Sequence, residues 1–245
     1  MQLDGTPPPH HAPGGEPGAG GRPHLLMCAP DHFDVQYVIN PWMEGNIGRP
    51  DIARARVQWE ALRAALARHA EVVVCPPAPG LPDMVFTANA GLVLNRRVIL
   101  SAFAHPQRQP EEVHFAEWFR AHGFEVILPP EPYRFEGCGD AVFDTHRQLL
   151  WLGYGQRSSL EAHPFIAETM QIETVSLRLV DPRYYHLDVA LCALPGGDVM
   201  YHPAAFDSPS LAEIERRVAP ERRIPVSAGD AQVFACNAVA LGEAL

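Results

Sequence analysis

One pattern recurs along this chain: an apolar run, a polar turn, a second apolar run, an amphipathic stretch and a closing apolar run. Its landmarks Phe86, Phe135, Leu187 and Val233 follow one another at about 45 to 50 residues, a period at which each copy is one supersecondary unit. A single β-β-α-β unit cannot bury its own apolar face, so neighbouring copies must cover one another. This predicts four full modules and the opening of a fifth around a central axis: an α/β propeller of pseudo-five-fold symmetry with its last module incomplete. The competing architecture is an α/β sandwich with helices on both faces.

The first copy opens at Leu25-Leu26-Met27-Cys28, runs a helix from about Asp51 to Ala70 and closes with Val72-Val73-Val74-Cys75 before Pro76-Pro77. The second opens at Met84-Val85-Phe86 and passes through Gly91–Leu94 and Val98–Leu100. Its helix spans Glu111 to Ala121, and Phe124–Leu128 closes it before Pro129-Pro130. The third has strands at Ala141–Phe143 and Leu149–Leu152, a helix over Ser159 to Met170 and a closing strand over Thr174 to Val180. The fourth opens with a strand at Leu187–Leu191, continues through Asp198–Tyr201 and a helix near Ser210 to Val218, and closes at Arg223–Val226. The fifth opens with a strand at Ala231–Cys236. Closing the ring takes roughly 30 to 40 residues beyond Leu245, judged from the repeat length. Met1 to Pro23 is rich in Gly, Pro and His and poor in large apolar residues, so it is expected to be a disordered tail. Residues 24–245 are expected to form one domain built of these modules and truncated at its C-terminus.

The net charge of −10 argues against nucleic acid and anionic membrane as partners. The chain has no apolar run long enough for a transmembrane helix and no secretory signal order at its start. Its five cysteines are scattered without a Cys-x-x-Cys pair, which suits reduced thiols and a cytoplasmic protein. His and Asp lack metal-ligand spacing, so no metal is expected, and no glycine-rich nucleotide loop is present, Gly153-Tyr154-Gly155 reading as a turn.

Polar residues cluster where modules open. In a ring, equivalent positions converge on the axis, which brings Asn89, Glu136, His186 and Asp188 into one cleft. Carboxylates match the paired N–H donors of a guanidinium, and a histidine beside a glutamate is a tunable proton carrier. Asp140 reads either as a member of this group or as a brace for the turn between Gly137 and Gly139.

Three segments, Phe86-Thr87-Ala88-Asn89, Phe135-Glu136-Gly137-Cys138-Gly139-Asp140 and His186-Leu187-Asp188, resemble the ordered motifs of the pentein superfamily of guanidino-group-modifying enzymes. The resemblance covers nearly everything but the tail. It implies a cofactor-free hydrolase of arginine or a methylarginine, with Glu136 and His186 as the acid–base pair and Asp188 gripping the guanidinium. Asn89 stands where deiminases commonly carry Asp. Pro82 to Gly91 and Asn40 within Ile39-Asn40-Pro41-Trp42-Met43 instead resemble the arginine dihydrolases, which yield ornithine, ammonia and carbon dioxide. Arg108 and Arg157 match positions that would hold the substrate carboxylate. The resemblance implies a cysteine nucleophile near the C-terminus, beyond the point where this sequence stops, so the chain as given is expected to be truncated and not to hydrolyse arginine. Cys236 reads as a buried core thiol. The alternatives are a dimethylarginine dimethylaminohydrolase, an arginine deiminase, an amidinotransferase and a non-catalytic binding protein of the same fold. A homo-oligomer is compatible with all of them.

Overall fold

The computed structural model describes residues 22–241. The expected tail therefore lies outside the described residues except for Arg22 and Pro23, and the carbonyl of Pro23 already accepts from the backbone N–H of Glu71 at 2.7 Å. Four small sheets follow one another along the chain. β1 (His24–Cys28) pairs in parallel with β2 (Glu71–Cys75) across helix α1 (Ile52–Leu66). β3 (Gly91–Leu94), β4 (Arg97–Leu100), α2 (Glu111–Ala121) and β5 (Glu125–Ile127) form the second unit. β6 (Ala141–Asp144), β7 (Leu149–Tyr154), α3 (Ala162–Met170) and β8 (Glu173–Arg178) form the third. β9 (Leu191–Ala193), β10 (Val199–Tyr201), α4 (Ser208–Arg217) and β11 (Arg223–Pro225) form the fourth, and a short helix α5 (Ala228–Ala231) follows. In the last three sheets the middle strand is antiparallel to the strand before it and parallel to the strand after the helix. That is the β-β-α-β module read from the sequence, in three of the four copies expected to be full; among the described residues the first copy has only the strands β1 and β2, with 3-10 turns where its second strand was expected.

The middle strands explain how modules hold one another. Side chains alternate between the faces of a strand, and here both faces are covered. In β4, Val98 and Leu100 join Cys28, Cys75, Met84 and Phe115 in one apolar cluster. Ile99 faces the other way and joins Phe135, Leu150, Leu152 and Ile166. In β7, Leu150 and Leu152 look back to that second cluster, while Leu149 and Trp151 look forward to Leu187, Leu191, Tyr201 and Ile214. Burial on both faces produces the continuous apolar runs of the sequence in place of an alternating pattern.

Backbone bridges stitch the seams. Ala102 pairs with Phe135 and Leu179 with Phe206, and the Thr87 hydroxyl donates to the Leu26 carbonyl at 2.8 Å. The loop after β1 reaches across the molecule: the Trp42 indole N–H donates to the Arg183 carbonyl at 2.7 Å, and its ring meets Phe234 edge-on at 4.8 Å.

The structure corrects the module openings. Met84-Val85-Phe86 and Leu187–Leu191 were expected to be strands. The chain instead makes tight 3-10 turns over Pro82–Val85, Thr87–Ala90, Gly137–Gly139 and Leu187–Val189, each of the last three leading into an antiparallel strand. An apolar run reports burial, which a turn packed between two modules satisfies as well as a strand does. The expected fifth opening strand, Ala231–Cys236, is α5 followed by turns, with Phe234 at φ 57°. Cys236 is buried, but in a turn. Among the described residues no helix is long and apolar enough to cross a membrane.

Gly137 shows how tightly the turns fit. Its φ is +63°, and a Cβ there would lie 2.8 Å from the Ala88 carbonyl oxygen and 2.9 Å from the Gly91 nitrogen. Gly137→Ala should lower the unfolding free energy by about 1 to 3 kcal/mol, from the left-handed backbone and the clash together. Urea denaturation followed by circular dichroism measures it, and an unchanged midpoint would contradict this packing.

Candidate active site

The 3-10 turns that open modules two, three and four end against one another, and the chemically distinctive side chains sit on them. Glu136 precedes the turn Gly137–Gly139 and Asp140 ends it; His186 precedes the turn Leu187–Val189, which contains Asp188; Asn89 lies in Thr87–Ala90. Gly139 is what allows the approach, because a Cβ there would stand 3.3 Å from the His186 ring and closer still to the Asn89 amide.

His186 is buried with acidic groups on both edges. Its Nε2 lies 3.4 Å from Glu136 Oε2 and 3.3 Å from the Asn89 amide nitrogen. Its Nδ1 lies 3.2 Å from Asp140 Oδ2, an oblique approach that makes an ion-pair contact without an aligned hydrogen bond. Burial opposes charge on the ring, but Asp140 and then Glu136 and Asp188 outweigh it, and the His186 pKa is raised. Asp140 is fully committed: it accepts from the Ser158 hydroxyl at 2.6 Å and from the Leu187 N–H at 3.1 Å. Both readings of Asp140 therefore apply, because it braces the turn and faces His186.

Glu136 is completely buried. Its carboxylate accepts from the Ala104 N–H at 3.1 Å and from Arg157 Nη1 at 3.0 Å. Asp188 is different. One of its oxygens is buried without a partner, and burial raises its carboxyl pKa to about 7, with His186 pulling the other way.

The arginines are less free than the sequence suggests. Arg108 donates to both oxygens of Glu111 at 2.9 and 2.8 Å, to Asn89 Oδ1 at 3.0 Å and to the Asp83 carbonyl at 3.2 Å, and it stacks over Phe103. Only one N–H direction is left for a ligand, and the main local effect of Arg108 is to fix the Asn89 amide. With Oδ1 held by Arg108, the amide nitrogen turns to the Glu136 carbonyl at 3.0 Å and to His186. Arg157 donates to Glu136 and to the Ile39 carbonyl at 2.9 Å. Asn40 is not brought into the cluster by a direct contact. Its side chain accepts from the Trp42 N–H at 3.0 Å and caps the turn Pro41–Met43.

Four contributors were missed in the sequence. Asp83 is buried, takes the Tyr37 hydroxyl on one oxygen at 2.8 Å and leaves the other unpartnered; burial raises its carboxyl pKa. Glu111 neutralises Arg108, Ser158 links Asp140 to the Glu136 N–H at 3.0 Å, and Tyr185 packs between Arg157 and His186. An Asp in a Pro-Asp turn and a Glu at a helix start ordinarily read as caps, so nothing local marked the first two. Among the cysteines, Cys138 lies in the site turn, but it donates to the Gly91 carbonyl at 3.3 Å and burial pushes its thiol up to about 11. Cys236 is pushed up to about 12 by burial. Neither is poised as a thiolate near neutral pH.

A family model described as N,N dimethylarginine dimethylhydrolase, eukaryotic, matches residues 48–244. The chain is 53% identical over 218 residues to the bifunctional arginine dihydrolase/ornithine cyclodeaminase AgrE of Nostoc, covering 89% of this chain and 31% of that one. It is 37% identical to the N(G),N(G)-dimethylarginine dimethylaminohydrolase of Mycobacterium tuberculosis, covering 88% of this chain and 70% of that one. The crystal structure of the N-terminal domain of the cyanobacterial arginine dihydrolase ArgZ, a Cys-to-Ser mutant bound to substrate, superposes with a TM-score of 0.88 at 53% identity, over 89% of this chain and 81% of that one. The chain thus spans about a third of the length of the bifunctional relatives it matches.

His186 supplies a test. Its folded pKa lies above the unfolded value of about 6.5. It therefore adds stability that is fully present below about pH 6.5 and is lost as pH rises through the folded pKa. Asp140→Asn removes the largest favourable charge while burial persists, so the His186 pKa should fall and this pH-dependent stability should shrink. Nuclear magnetic resonance titration of the imidazole checks it; an unmoved pKa would show that Asp140 only braces the turn.

Proposed function

Since the chain belongs to the dimethylarginine dimethylaminohydrolase family of the pentein fold, we propose that its site, carried by residues 24–245, hydrolyses the guanidino group of arginine, releasing ornithine, ammonia and carbon dioxide. The observation that carries this reading is the Asp188 carboxylate, half-buried beside His186, with one oxygen unpartnered and its pKa raised to about 7. A carboxyl so destabilised as an anion is completed by a cation, and a planar guanidinium satisfies both its charge and its free lone pairs. Asp83, the other buried carboxylate with a free oxygen, suits the α-ammonium group. The remaining N–H directions of Arg157 and Arg108 suit the α-carboxylate.

In this reading Asp188 orients the guanidinium carbon, and the resemblance assigns attack on that carbon to a cysteine thiolate. His186 gives a proton to the departing amine and later takes one from water, and Glu136, 3.4 Å away, keeps the imidazole charged until that proton is needed. Release of ornithine requires a second attack while the ureido product stays bound. Asn89 supports this step. Arg108 holds its oxygen away, so the amide nitrogen is presented toward His186 as a donor for a ureido oxygen. An Asp at 89 would present only acceptors. The family model favours a second reading, hydrolysis of a methylated arginine. Comparing arginine with asymmetric dimethylarginine as ligands separates the two.

Two outcomes are expected. Binding of L-arginine converts protonated Asp188 to its ionised form, so affinity should rise with pH through about 7 and binding near pH 6 should release a proton. Calorimetry in buffers of different ionisation enthalpy measures both, and proton uptake would contradict the assignment of Asp188. For Asn89, losing a buried donor costs about 1 to 3 kcal/mol, roughly 5- to 150-fold. In a protein that carries the cysteine nucleophile, Asn89→Asp should shift products from ornithine toward citrulline, measured by chromatography after arginine turnover. If the native protein yields only citrulline, the dihydrolase reading fails.

A further inference from the structure

Arg157 is gripped by three separate parts of the fold, and the third grip is an aromatic ring. Its Nη1 donates to Glu136 at 3.0 Å and its Nη2 to the Ile39 carbonyl in the loop after β1 at 2.9 Å. Its guanidinium carbon stands 5.0 Å from the centroid of Tyr185. The same ring lies 5.0 Å from the His186 imidazole, tilted by 59°. This contact is not a by-product of sequence adjacency. His186 is extended, with φ −128° and ψ 158°, and side chains next to each other on an extended chain point apart. Tyr185 has therefore turned toward its neighbour, into the space between His186 and Arg157. No residue donates to or accepts from the Tyr185 hydroxyl among the described contacts, so the ring is the part in use.

We propose that Tyr185 is a positioning residue: its ring face fixes the plane of the Arg157 guanidinium so that Arg157 neutralises Glu136 and still offers its remaining N–H edge to an anionic group of the ligand. The physical case follows from the partners. A guanidinium over a ring face is attracted by the ring quadrupole, most strongly where water is excluded, and Arg157 is buried. Arg157 has no helix or strand to hold it, because it lies in the turn between β7 and α3. Without the ring, the two hydrogen bonds would leave the guanidinium plane able to tilt about the line that joins them. The two neighbours of the Tyr185 ring also differ in demand, since His186 needs only a wall whereas Arg157 needs the π face. Phenylalanine at this position meets both demands and leucine meets only the first.

This inference rests on the proposed arginine site for its ligand, so the experiment has one arm that needs a ligand and one that does not. In the first, L-arginine binding to the native chain, Tyr185→Phe and Tyr185→Leu is measured by calorimetry. The loss expected for Leu is about 2- to 30-fold in Kd, from a cation–π contact of about 0.5 to 2 kcal/mol, with Phe within about twofold of native. In the second, the side-chain Nε–H of Arg157 is followed without ligand by nuclear magnetic resonance. Its hydrogen exchange should stay native-like in Phe and quicken in Leu, a change that a purely structural wall would not produce. If Leu leaves exchange and affinity at native values, or if Phe loses as much as Leu, the proposal is overturned. Failure of the native chain to bind L-arginine, with the exchange difference intact, would overturn the arginine reading and leave the role of Tyr185 standing.

Discussion

Asp140 joins two modules and sets the charge of the site in one stroke. One of its oxygens accepts from the Ser158 hydroxyl and faces His186; the other accepts from the Leu187 N–H at the start of the next module. The Ser158 hydroxyl in turn accepts from the Glu136 N–H. Removing the carboxylate would leave buried donors unpaired on two turns at once, the situation in which hydrogen bonds matter most. The seam and the charge on His186 therefore depend on the same atoms, so the packing of the two modules and the electrostatics of the site cannot be separated there.

Charge is distributed around that seam by a simple rule. Glu136 is matched by Arg157 and Glu111 by Arg108, so these acids are neutralised inside the protein. Asp188 and Asp83 each retain an unpartnered oxygen. A buried carboxylate without a cation is costly, and the two left incomplete are the two a dibasic, elongated ligand could complete. In the proposed arginine reading, binding supplies what the fold withholds.

Much of this was legible in the sequence, for a reason that also marks its limit. The period of the modules, the helix Glu111–Ala121 and the middle strands stand out because burial on both faces writes long apolar runs. The grouping of Asn89, Glu136, His186 and Asp188 follows once equivalent positions of a ring are superposed. What stayed hidden depends on local hydrogen bonding or on partners distant in the chain. The turns Pro82–Val85 and Leu187–Val189 read as strands because Met84, Leu187 and Val189 are as apolar and as buried as strand residues. Arg108 reads as a free cation until Glu111 closes on it, and Asp83 reads as a turn residue until Tyr37, which the structure brings to it from 46 positions away, takes one of its oxygens. The Asn40 side chain, expected at the ligand, uses its Oδ1 to cap the turn Pro41–Met43.

The alternation along β7 also gives each position an address. Leu150 and Leu152 press on the second module, whereas Leu149 and Trp151 press on the fourth. Parity of the residue number therefore decides which neighbour must accommodate a change in volume. A methyl group gained at 150 is a matter for Ile99 and Ile166; the same group gained at 149 is a matter for the cluster of Leu187 and Tyr201, which ends against the His186 turn. Drift in one strand can thus be neutral to the chemistry or felt by it, according to a single step along the chain.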